Sequence, residues 1–228
     1  MANVRDRHLG SVQGQVGDQV FKMRGNKSYV AQLPHNSGTE AKDIVIDNRK
    51  KFGVAARFSI AVNQISPLKE TWDIYTPNSM SPFNGILRAN YPKVTSSDVT
   101  DNALIVPFFG GFPVVTTDVT IDGTSVDVAI DPIGTGEEID TMIEKYIVLC
   151  AVIKCTDGNV DDAEKIMFIP LQSANVVLNL ANPLTFSITL TGAERKTYSS
   201  YDTHLTFLAF VTLDESGNPI HFSEGFTA

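Results

Sequence analysis

The stretch Val20-Phe-Lys-Met-Arg-Gly25-Asn-Lys-Ser-Tyr-Val-Ala-Gln-Leu33 places a Gly-Asn pair between two runs of β-prone residues. This pattern predicts a β-hairpin in which residues 19–23 and 28–33 pair around a tight turn. Two strands alone are only marginally stable in water. We therefore expect the hairpin to pair with a sheet or with another subunit, as a protruding arm with basic residues near its tip.

Glycines at positions 10, 14 and 17 precede this hairpin. They do not form a phosphate-binding loop, because Gly17 is followed by Asp18-Gln19 rather than by Lys-Ser or Lys-Thr. A dinucleotide-binding motif would need a helix after the glycines, whereas a strand is expected there. These glycines are interpreted as turn residues or as points of close backbone approach.

A long helix is predicted after Pro34. Ser37-Gly-Thr-Glu40 has the spacing of a capping box, and apolar residues recur at helical spacing from Ala41 to Val62. The predicted helix covers residues 39–65, about 40 Å at 1.5 Å per residue, and Pro67 is expected to end it. A helix of that length in a small domain is typical of a spine or an interface element.

The remaining sequence predicts an irregular connector over 67–102, with a short helix capped by Ser81, and then a change of period from 3.6 to 2 near residue 103. Asp122-Gly123 is a strong hairpin signal, and 146–155 is expected to be a buried central strand. The fold class is α+β and mostly β: a hairpin arm and long helix over 1–66, the connector, and an immunoglobulin-like antiparallel β-sandwich over 103–228. The predicted strands are 104–106, 113–115, 119–121, 125–130, 146–155, 165–171, 175–180, 184–190, 205–213 and 220–226.

Charge divides the chain unevenly. The 228 residues carry 18 Lys+Arg and 26 Asp+Glu, a net charge of −8. Residues 1–62 hold 10 basic and 5 acidic residues, a net of +5, and residues 63–228 hold 8 and 21, a net of −13. Such a split favours self-assembly, in which a basic part of one subunit meets an acidic surface of the next. It is also compatible with nucleic-acid contact, or with an ordinary solvated helix face.

The cysteines, histidines and acidic clusters, which could form catalytic or metal sites, are each better explained by structural roles. Cys150 and Cys155 are an odd number of positions apart on one predicted strand, so their side chains should face opposite ways and form no disulfide. His204 and His221 could face each other on adjacent strands, but two ligands do not make a zinc site. Residues 157–162 begin like a calcium loop yet lack its glycine and final glutamate, so a hairpin loop is favoured. The acidic residues Glu137, Glu138, Asp140 and Glu144 are expected to be solvated.

The sequence therefore predicts no catalytic residue, cofactor site or metal site, and the protein is expected not to be an enzyme. The candidate functional residues are those of an oligomer or partner interface on the arm and the long helix. They are Phe21, Lys22, Arg24, Lys27, Tyr29, Arg49, Lys50 and Lys51.

Three groups of short motifs lie along the chain. They are the N-terminal Gly14-Gln-Val-Gly17, Tyr29-Val30, Thr39-Glu-Ala41 and Arg49-Lys-Lys-Phe52, the helix motif from Ser81 to Tyr91-Pro92, and Phe207-Leu-Ala-Phe210 with Asp214-Glu-Ser-Gly217 and Ser223. In these motifs the whole chain resembles a family of uncharacterised proteins encoded by Bacteroidota and their phages, crAss-like phages included. The family has no assigned activity. Its phage setting implies a structural protein of a tailed-phage virion, made in the bacterial host cytoplasm, as a connector or ring, tail or head-associated component. The implied partners are further copies of itself and portal, tail or capsid proteins, without a membrane.

Two alternatives stay open. A β-sandwich can host a glycan or cell-surface binding site, for which Tyr198 and Tyr201 are the candidate exposed aromatic residues. A nucleic-acid-binding protein would use the basic residues of the candidate interface, with Phe21 and Tyr29 available for stacking on bases.

Overall fold

The computed structural model describes residues 3–4, 12–17, 19–24, 27–32, 43–77, 79–134, 139–158 and 165–228. The chain divides into two compact units, residues 1–42 and residues 43–228. The long helix therefore belongs to the same unit as the C-terminal sheets, whereas the hairpin belongs to the other unit.

The first unit is a four-stranded antiparallel sheet in sequence order. Its strands are β1 (Asn3–Val4), β2 (Val12–Val16), β3 (Gln19–Arg24) and β4 (Lys27–Gln32). Arg24 pairs with Lys27, so the predicted hairpin and its two-residue connection are confirmed. The hairpin also has the sheet partner that its small size requires, since β2 pairs with β3. Gly17 has φ +57° in the turn between these strands, a conformation that favours glycine.

Helices α1 (Asp43–Gln64), α2 (Ser66–Tyr75) and α3 (Pro82–Asn90) open the second unit, and a 3₁₀ turn follows at Tyr91–Lys93. The predicted long helix is confirmed over 43–64, about 33 Å, and residues 37–42 with the capping box lie outside the described residues. The prediction of an irregular connector from residue 67 is wrong. Ile65 is extended, and Pro67 lies in the first turn of α2, where its missing N–H is no loss.

The capped start of α3 is confirmed. Pro82 is its first residue, and the Ser81 hydroxyl accepts a hydrogen bond from the Asn84 N–H at 3.4 Å. Ile86 on α3 and Trp72 on α2 are buried in the same core as Phe58 and Val62 of α1, as their apolar character predicts.

Two antiparallel sheets complete the second unit and form a β-sandwich. The three-stranded sheet has the order β10-β6-β5, and the six-stranded sheet has the order β12-β11-β7-β8, with β9 added to β7 and β13 added to β11. The predicted α+β, mostly β fold is confirmed. The strands are β5 (Thr116–Ile121), β6 (Ser125–Ile130), β7 (Tyr146–Thr156), β8 (Ile166–Gln172), β9 (Val176–Val177), β10 (Leu184–Thr189), β11 (Thr203–Leu213), β12 (Pro219–Phe222) and β13 (Phe226–Thr227).

Strand β7 lies at the centre of three layers. Cys150 and its neighbours at even positions pack against the helices, in the core that holds Phe58. Leu149 and its neighbours at odd positions pack against the three-stranded sheet, in a second core with Val128. Cys155 belongs to this second core, so the prediction that the two cysteines face opposite ways is confirmed. The six-stranded sheet is thus covered by helices on one face and by the three-stranded sheet on the other.

Residues 104–106 and 113–115 are described and do not form the strands predicted for them. Ile105 is buried, yet side chains rather than a neighbouring strand satisfy the backbone around it. The Asn90 amide donates to the Leu104 carbonyl at 2.8 Å and accepts from the Leu104 N–H at 2.7 Å. The Trp72 indole N–H donates to the Ile105 carbonyl at 2.9 Å. The apolar character predicted burial correctly, but burial here does not require a β-ladder.

The sequence analysis also missed helix α4 (Gly192–Ser199). Thr191 and Glu194 form a capping box, in which the Thr191 N–H donates to Glu194 Oε2 at 2.6 Å and the Glu194 N–H donates to the Thr191 hydroxyl at 3.4 Å. The signal in the sequence was the Thr-x-x-Glu spacing itself.

Candidate assembly surface

The first two turns of α1 are exposed on every side. All residues from Asp43 to Lys50 are exposed, although Ile44, Val45 and Ile46 are apolar. Consecutive residues point about 100° apart around a helix, so these three side chains cannot share one covered face. Ile44 is 69% exposed, and Phe52 two turns later is 52% exposed. We call residues 43–52 the start of α1.

The second half of α1 anchors the helix. Val54, Ala55 and Val62 are buried, and the Phe58 ring makes edge-to-face contacts with Phe168 at 5.4 Å and with Phe207 at 5.3 Å between centroids. The exposed residues 43–50 therefore extend about 12 Å beyond the covered part of the helix. A helix fixed at one end presents its other end in a defined direction, which suits a contact with another molecule.

An apolar groove of about 520 Å³ adjoins this start. Phe52 of α1 forms one wall, and Leu87 and Tyr91 lie opposite, on α3 and the 3₁₀ turn. The volume falls in the range of small binding pockets, so the groove has room for a few apolar side chains. Its remaining lining residues are Ser79, Met80, Asn84, Arg88 and Pro92.

The three candidate cations of α1 differ in their surroundings. Arg49 and Lys50 are exposed. Lys51 is half-buried, with its Nζ 4.9 Å from the centroid of the Tyr91 ring. Lys51 therefore already has a cation–π partner within its own unit, and Arg49 and Lys50 are the two better placed for contact with another molecule.

Lys50 also lines a second pocket, of about 420 Å³, on the side of α1 nearest to β8. Arg57, one of its other lining residues, donates to the Ile166 carbonyl at 3.4 Å. Lys165 and the two serines Ser96 and Ser97 complete the polar lining. We call this site, with its three cationic side chains, the basic pocket. Its chemistry fits a carboxylate or another anion.

The five candidate residues of the hairpin do not form one cluster. Backbone pairing sets Lys22 opposite Tyr29 and Phe21 opposite Val30. Because side chains alternate along a strand, Lys22 and Tyr29 share one face of the sheet and Phe21 lies on the other. Arg24 pairs with Lys27 at the end of the hairpin, and the side chains of both lie outside the described residues. Phe21 and Tyr29 consequently cannot form one stacking platform for bases.

The loop before β5 exposes a second apolar feature that the sequence analysis did not single out. Phe108 and Phe109 are 68% and 78% exposed. The glycines that follow hold this loop against the end of β12. A Cβ atom at Gly111 would lie 2.6 Å from the Glu224 nitrogen, and the Glu224 N–H donates to the Phe112 carbonyl at 2.9 Å. The signal in the sequence was the run Phe-Phe-Gly-Gly.

The two histidines do not face each other, so that expectation is wrong. His221 lies opposite Thr212, whose hydroxyl accepts from the His221 N–H at 3.0 Å. His204 instead stacks on the Tyr198 ring at 3.7 Å between centroids. Among the residues described, no group of three or more His, Cys, Asp and Glu side chains is arranged to hold a metal ion. Asp157 is described and exposed, whereas positions 159–164, which include most of the possible calcium loop, lie outside the described residues.

Glu144 corrects the expectation of a solvated acidic cluster. Its side chain is fully buried, and Oε1 accepts from the Asp140 N–H at 2.8 Å and lies 3.1 Å from His221 Nδ1. The carboxylate thus closes the turn before β7 and ties it to β12. Glu137 and Glu138 lie outside the described residues, and Asp140 is exposed.

The thiols are unsuited to nucleophilic chemistry. Burial raises the pKa of Cys150 far above its usual range and raises the pKa of Cys155 to about 12. Both groups therefore stay protonated at neutral pH, and the thiolate is the reactive form.

The two aromatic residues named for glycan binding differ in exposure. Tyr201 is buried, and Tyr198 is half-buried with one ring face covered by His204. The burial of Tyr201 removes that side chain from the glycan hypothesis. As a separate observation, none of the described helices combines the length and apolar character needed to cross a bilayer.

No family model matches the chain, and no curated protein matches it. Among solved structures, a β-glucosidase from Kluyveromyces marxianus in complex with glucose aligns over 55% of this chain and 15% of its own, at 11% identity and a TM-score of 0.24. The same enzyme in another crystal structure aligns at 10% identity and a TM-score of 0.23, so the chain spans about a sixth of it. A conjugate transposon protein (27–141) from Bacteroides vulgatus aligns over 55% of this chain and 88% of its own, at 15% identity and a TM-score of 0.22. Similarity this low establishes neither a shared fold nor a shared function.

Proposed function

We propose that this chain is a non-enzymatic structural protein that assembles with copies of itself through the start of α1 and the N-terminal sheet. The setting that we propose is the virion of a tailed phage, in which the protein is a connector or ring, tail or head-associated component. The observation that carries the proposal is the exposed, apolar start of α1 on a helix whose other half is firmly buried.

A cluster of exposed apolar side chains on a well-packed unit indicates an interaction surface. Covering one isoleucine side chain contributes about 1.5–3 kcal/mol. Ile44, Val45, Ile46 and Phe52 lie within three turns, next to the apolar groove. Ile44, Val45 and Phe52 lie within about 100° of one another around the helix. An interface on that side of α1 would bury a hydrophobic centre with Arg49 at its rim, which is the usual anatomy of a protein–protein contact.

The uneven distribution of charge along the chain favours a second copy as the partner. The basic N-terminal residues and the acidic remainder of the chain are complementary, so one copy can offer what another copy accepts. The phage setting rests on the resemblance of the quoted motifs to proteins of Bacteroidota and their phages. Portal, tail and capsid proteins are the further partners implied by that setting.

The test compares two polar substitutions of matched isoleucines in the full chain. Ile44 and Ile74 are both helical, at 69% and 65% exposure, but Ile74 lies near the end of α2. We expect Ile44→Gln to weaken self-association at least about tenfold, since one covered isoleucine contributes about 1.5 kcal/mol or more. Ile74→Gln should leave the mass distribution unchanged in light scattering and native mass spectrometry.

A wild-type chain that stays monomeric up to its solubility limit contradicts self-assembly. Equal loss of association in Ile44→Gln and in Ile74→Gln contradicts the role of α1. The virion setting has its own test, which is the gene neighbourhood. Adjacency to portal, terminase or tail genes supports it, and a neighbourhood of metabolic genes opposes it.

A further inference from the structure

The outer face of the three-stranded sheet is polar, and its outward-facing residues on β5 and β10 are exposed. Val126, Val128 and Ile130 of β6 point into the core. The alternation along the strand sends Ser125, Asp127 and Ala129 outward. Backbone pairing sets Thr120 and Ser187 on either side of Asp127, and Asp118 and Thr185 on either side of Ala129. The face is therefore a flat array of hydroxyl, methyl and carboxylate groups.

This face is also acidic. Residues 116–131 contain four aspartates and neither lysine nor arginine, and β10 has no charged residue. Asp118 and Asp131 are exposed, and Asp127 is half-buried and accepts from the Ser125 hydroxyl at 2.5 Å. Arg195 of α4 lies close enough to interact with Asp122 in the β5–β6 turn. The carboxylates that face outward from the sheet itself are thus those of Asp118, Asp127 and Asp131.

The basic side of α1 belongs to the opposite layer. The helices cover one face of the six-stranded sheet, and the three-stranded sheet covers the other. Arg49, Lys50 and the basic pocket therefore lie on the helical side of the unit, whereas the aspartates lie on the sheet side. One copy of the chain thus carries the exposed cations Arg49 and Lys50 on one layer, with Asp43 and Asp47 on the same helix, and a group of aspartates on the other layer.

We propose that the outer face of the three-stranded sheet docks against the basic side of α1 in a second copy, with carboxylates of Asp118 and Asp127 received by Arg49 and by Lys50 at the basic pocket. This inference rests on the proposed self-assembly and specifies its geometry. The contact joins two different surfaces, so it is head-to-tail. Each copy can use both surfaces at once, and such contacts generate a ring if they close or a filament if they do not.

Opposite charges attract each other across this contact, and their positions fix the orientation of the two copies and the choice of partner. Charge-assisted hydrogen bonds between lysine or arginine and carboxylates are the strong members of their class. Both surfaces are solvent-exposed before docking, so association should weaken as salt screens their attraction.

The experiment uses two charge-reversed full-length variants. One is Arg49→Glu/Lys50→Glu, which alters the helix surface, and the other is Asp118→Lys/Asp127→Lys, which alters the sheet surface. We expect each variant alone to lose association by at least tenfold in light scattering and native mass spectrometry. Controls with the same change in net charge are Lys69→Glu/Lys196→Glu and Asp202→Lys/Glu215→Lys, all at exposed positions. Thermal unfolding checks that every variant is folded.

Mixing the two altered chains gives the decisive result. The helix variant keeps an intact sheet surface, and the sheet variant keeps an intact helix surface, so one native contact can form between them. The two reversed surfaces also carry opposite charges, so we expect the 1:1 mixture to regain association, with the two chains alternating in the assembly. Both sets of reversals in a single chain restore complementarity with the signs exchanged, and we expect that chain to regain the wild-type assembly size.

The outcomes separate this inference from the proposed function. If the wild type associates and the helix variant fails while the sheet variant does not, assembly is real but the acidic face is not the docking partner, and the inference is overturned. The same holds if neither variant loses association, or if the sheet variant alone does. If the wild type is a strict monomer, the proposed function fails first. Loss of single-stranded oligonucleotide binding in the helix variant, with assembly intact, would assign the basic side to nucleic acid and also overturn the inference.

Discussion

Strand β7 and the start of α1 carry similar side chains in opposite surroundings. Ile147, Val148 and Ile153 on β7 are fully buried, because the helices cover one face of the strand and the three-stranded sheet covers the other. Ile44 and Ile46 on α1 have the same chemistry and remain exposed. The comparison shows that side chains of the same kind join the layers of the second unit on β7 and are left uncovered at the start of α1.

The largest effect expected from this comparison concerns two phenylalanines on one helix. Phe58 is fully buried, and Phe52 is half-exposed beside the apolar groove. We expect Phe58→Ala to lower the free energy of unfolding by about 3–5 kcal/mol, because it leaves a cavity between α1 and the six-stranded sheet. Phe52→Ala should change it by about 0.5 kcal/mol or less. Urea unfolding at equal protein concentration measures both.

In an association assay we expect Phe52→Ala to have the larger effect of the two variants. Phe52→Ala is expected to weaken self-association, since Phe52 belongs to the start of α1 and to the groove wall. A loss of stability in Phe52→Ala as large as that in Phe58→Ala would mean that the start of α1 is structural rather than an interaction surface.

The thiols of β7 give the next largest effect. Burial raises the pKa of Cys155 from 9.0 to about 12, which lowers the thiolate fraction at pH 8 by a factor of about 1000. We expect Ellman's reagent to react with Cys155 at least about a thousandfold more slowly in the native protein than in guanidinium-unfolded chains, by the same argument. The fully buried Cys150 should behave likewise. The single variants Cys150→Ala and Cys155→Ala identify each thiol, and rapid native labelling of either would contradict its burial.

These pKa shifts also set a pH dependence. A thiol whose folded pKa is raised favours the folded state fully below the unfolded pKa of about 9, and that contribution is lost as pH rises through the folded pKa. Unfolding at alkaline pH should therefore be assisted by Cys155 between pH 9.0 and about 12, and Cys155→Ala should reduce this dependence.

A smaller effect concerns the irregular segment that replaces a predicted strand. Asn90 is fully buried, and its amide satisfies both the N–H and the carbonyl of Leu104. We expect Asn90→Ala to cost about 1–3 kcal/mol, because buried backbone groups lose their partners. Asn84→Ala on the same helix is the control, since Asn84 is exposed and should change stability by about 0.5 kcal/mol or less. Equal stability of both variants would mean that water replaces the Asn90 amide.

Asn90 also illustrates what the sequence could and could not predict. A continuous apolar run identified β7 as a buried strand, and the Asp-Gly turn identified the β5–β6 hairpin, because both are local signals. Partners distant in sequence were not predictable in this way. Leu104 has its hydrogen-bond partner 14 residues earlier, and Glu144 lies against His221, 77 residues away. Local charge therefore made Glu144 resemble a solvated residue.

The exposure of the candidate interface residues was predicted only in part, for a related reason. The sequence identified Arg49 and Lys50 as exposed cations, but it also included Lys51, which Tyr91 covers. It placed Ile44 and Val45 on the same apolar stripe as Val62, but Val62 is buried and the other two are exposed. Helical periodicity shows that a helix has an apolar face. It does not show where along the helix the covering layer ends, and this limit is what defines the start of α1.

The smallest expected effect concerns an exposed carboxylate in the turn between β5 and β6. The Thr124 hydroxyl is the largest of the causes that lower the pKa of Asp122, followed by the backbone N–H groups of Ser125 and Thr124. We expect Thr124→Val to raise the Asp122 pKa toward its usual value and Thr124→Ser to leave it low, in an NMR titration of the carboxyl. A folded pKa below the unfolded value contributes stability that is present above about pH 4 and lost as pH falls through the folded pKa. Thr124→Val should therefore weaken the acid dependence of unfolding without changing the buried layers. An Asp122 pKa that is equal in both variants would show that the backbone N–H groups alone hold the charge.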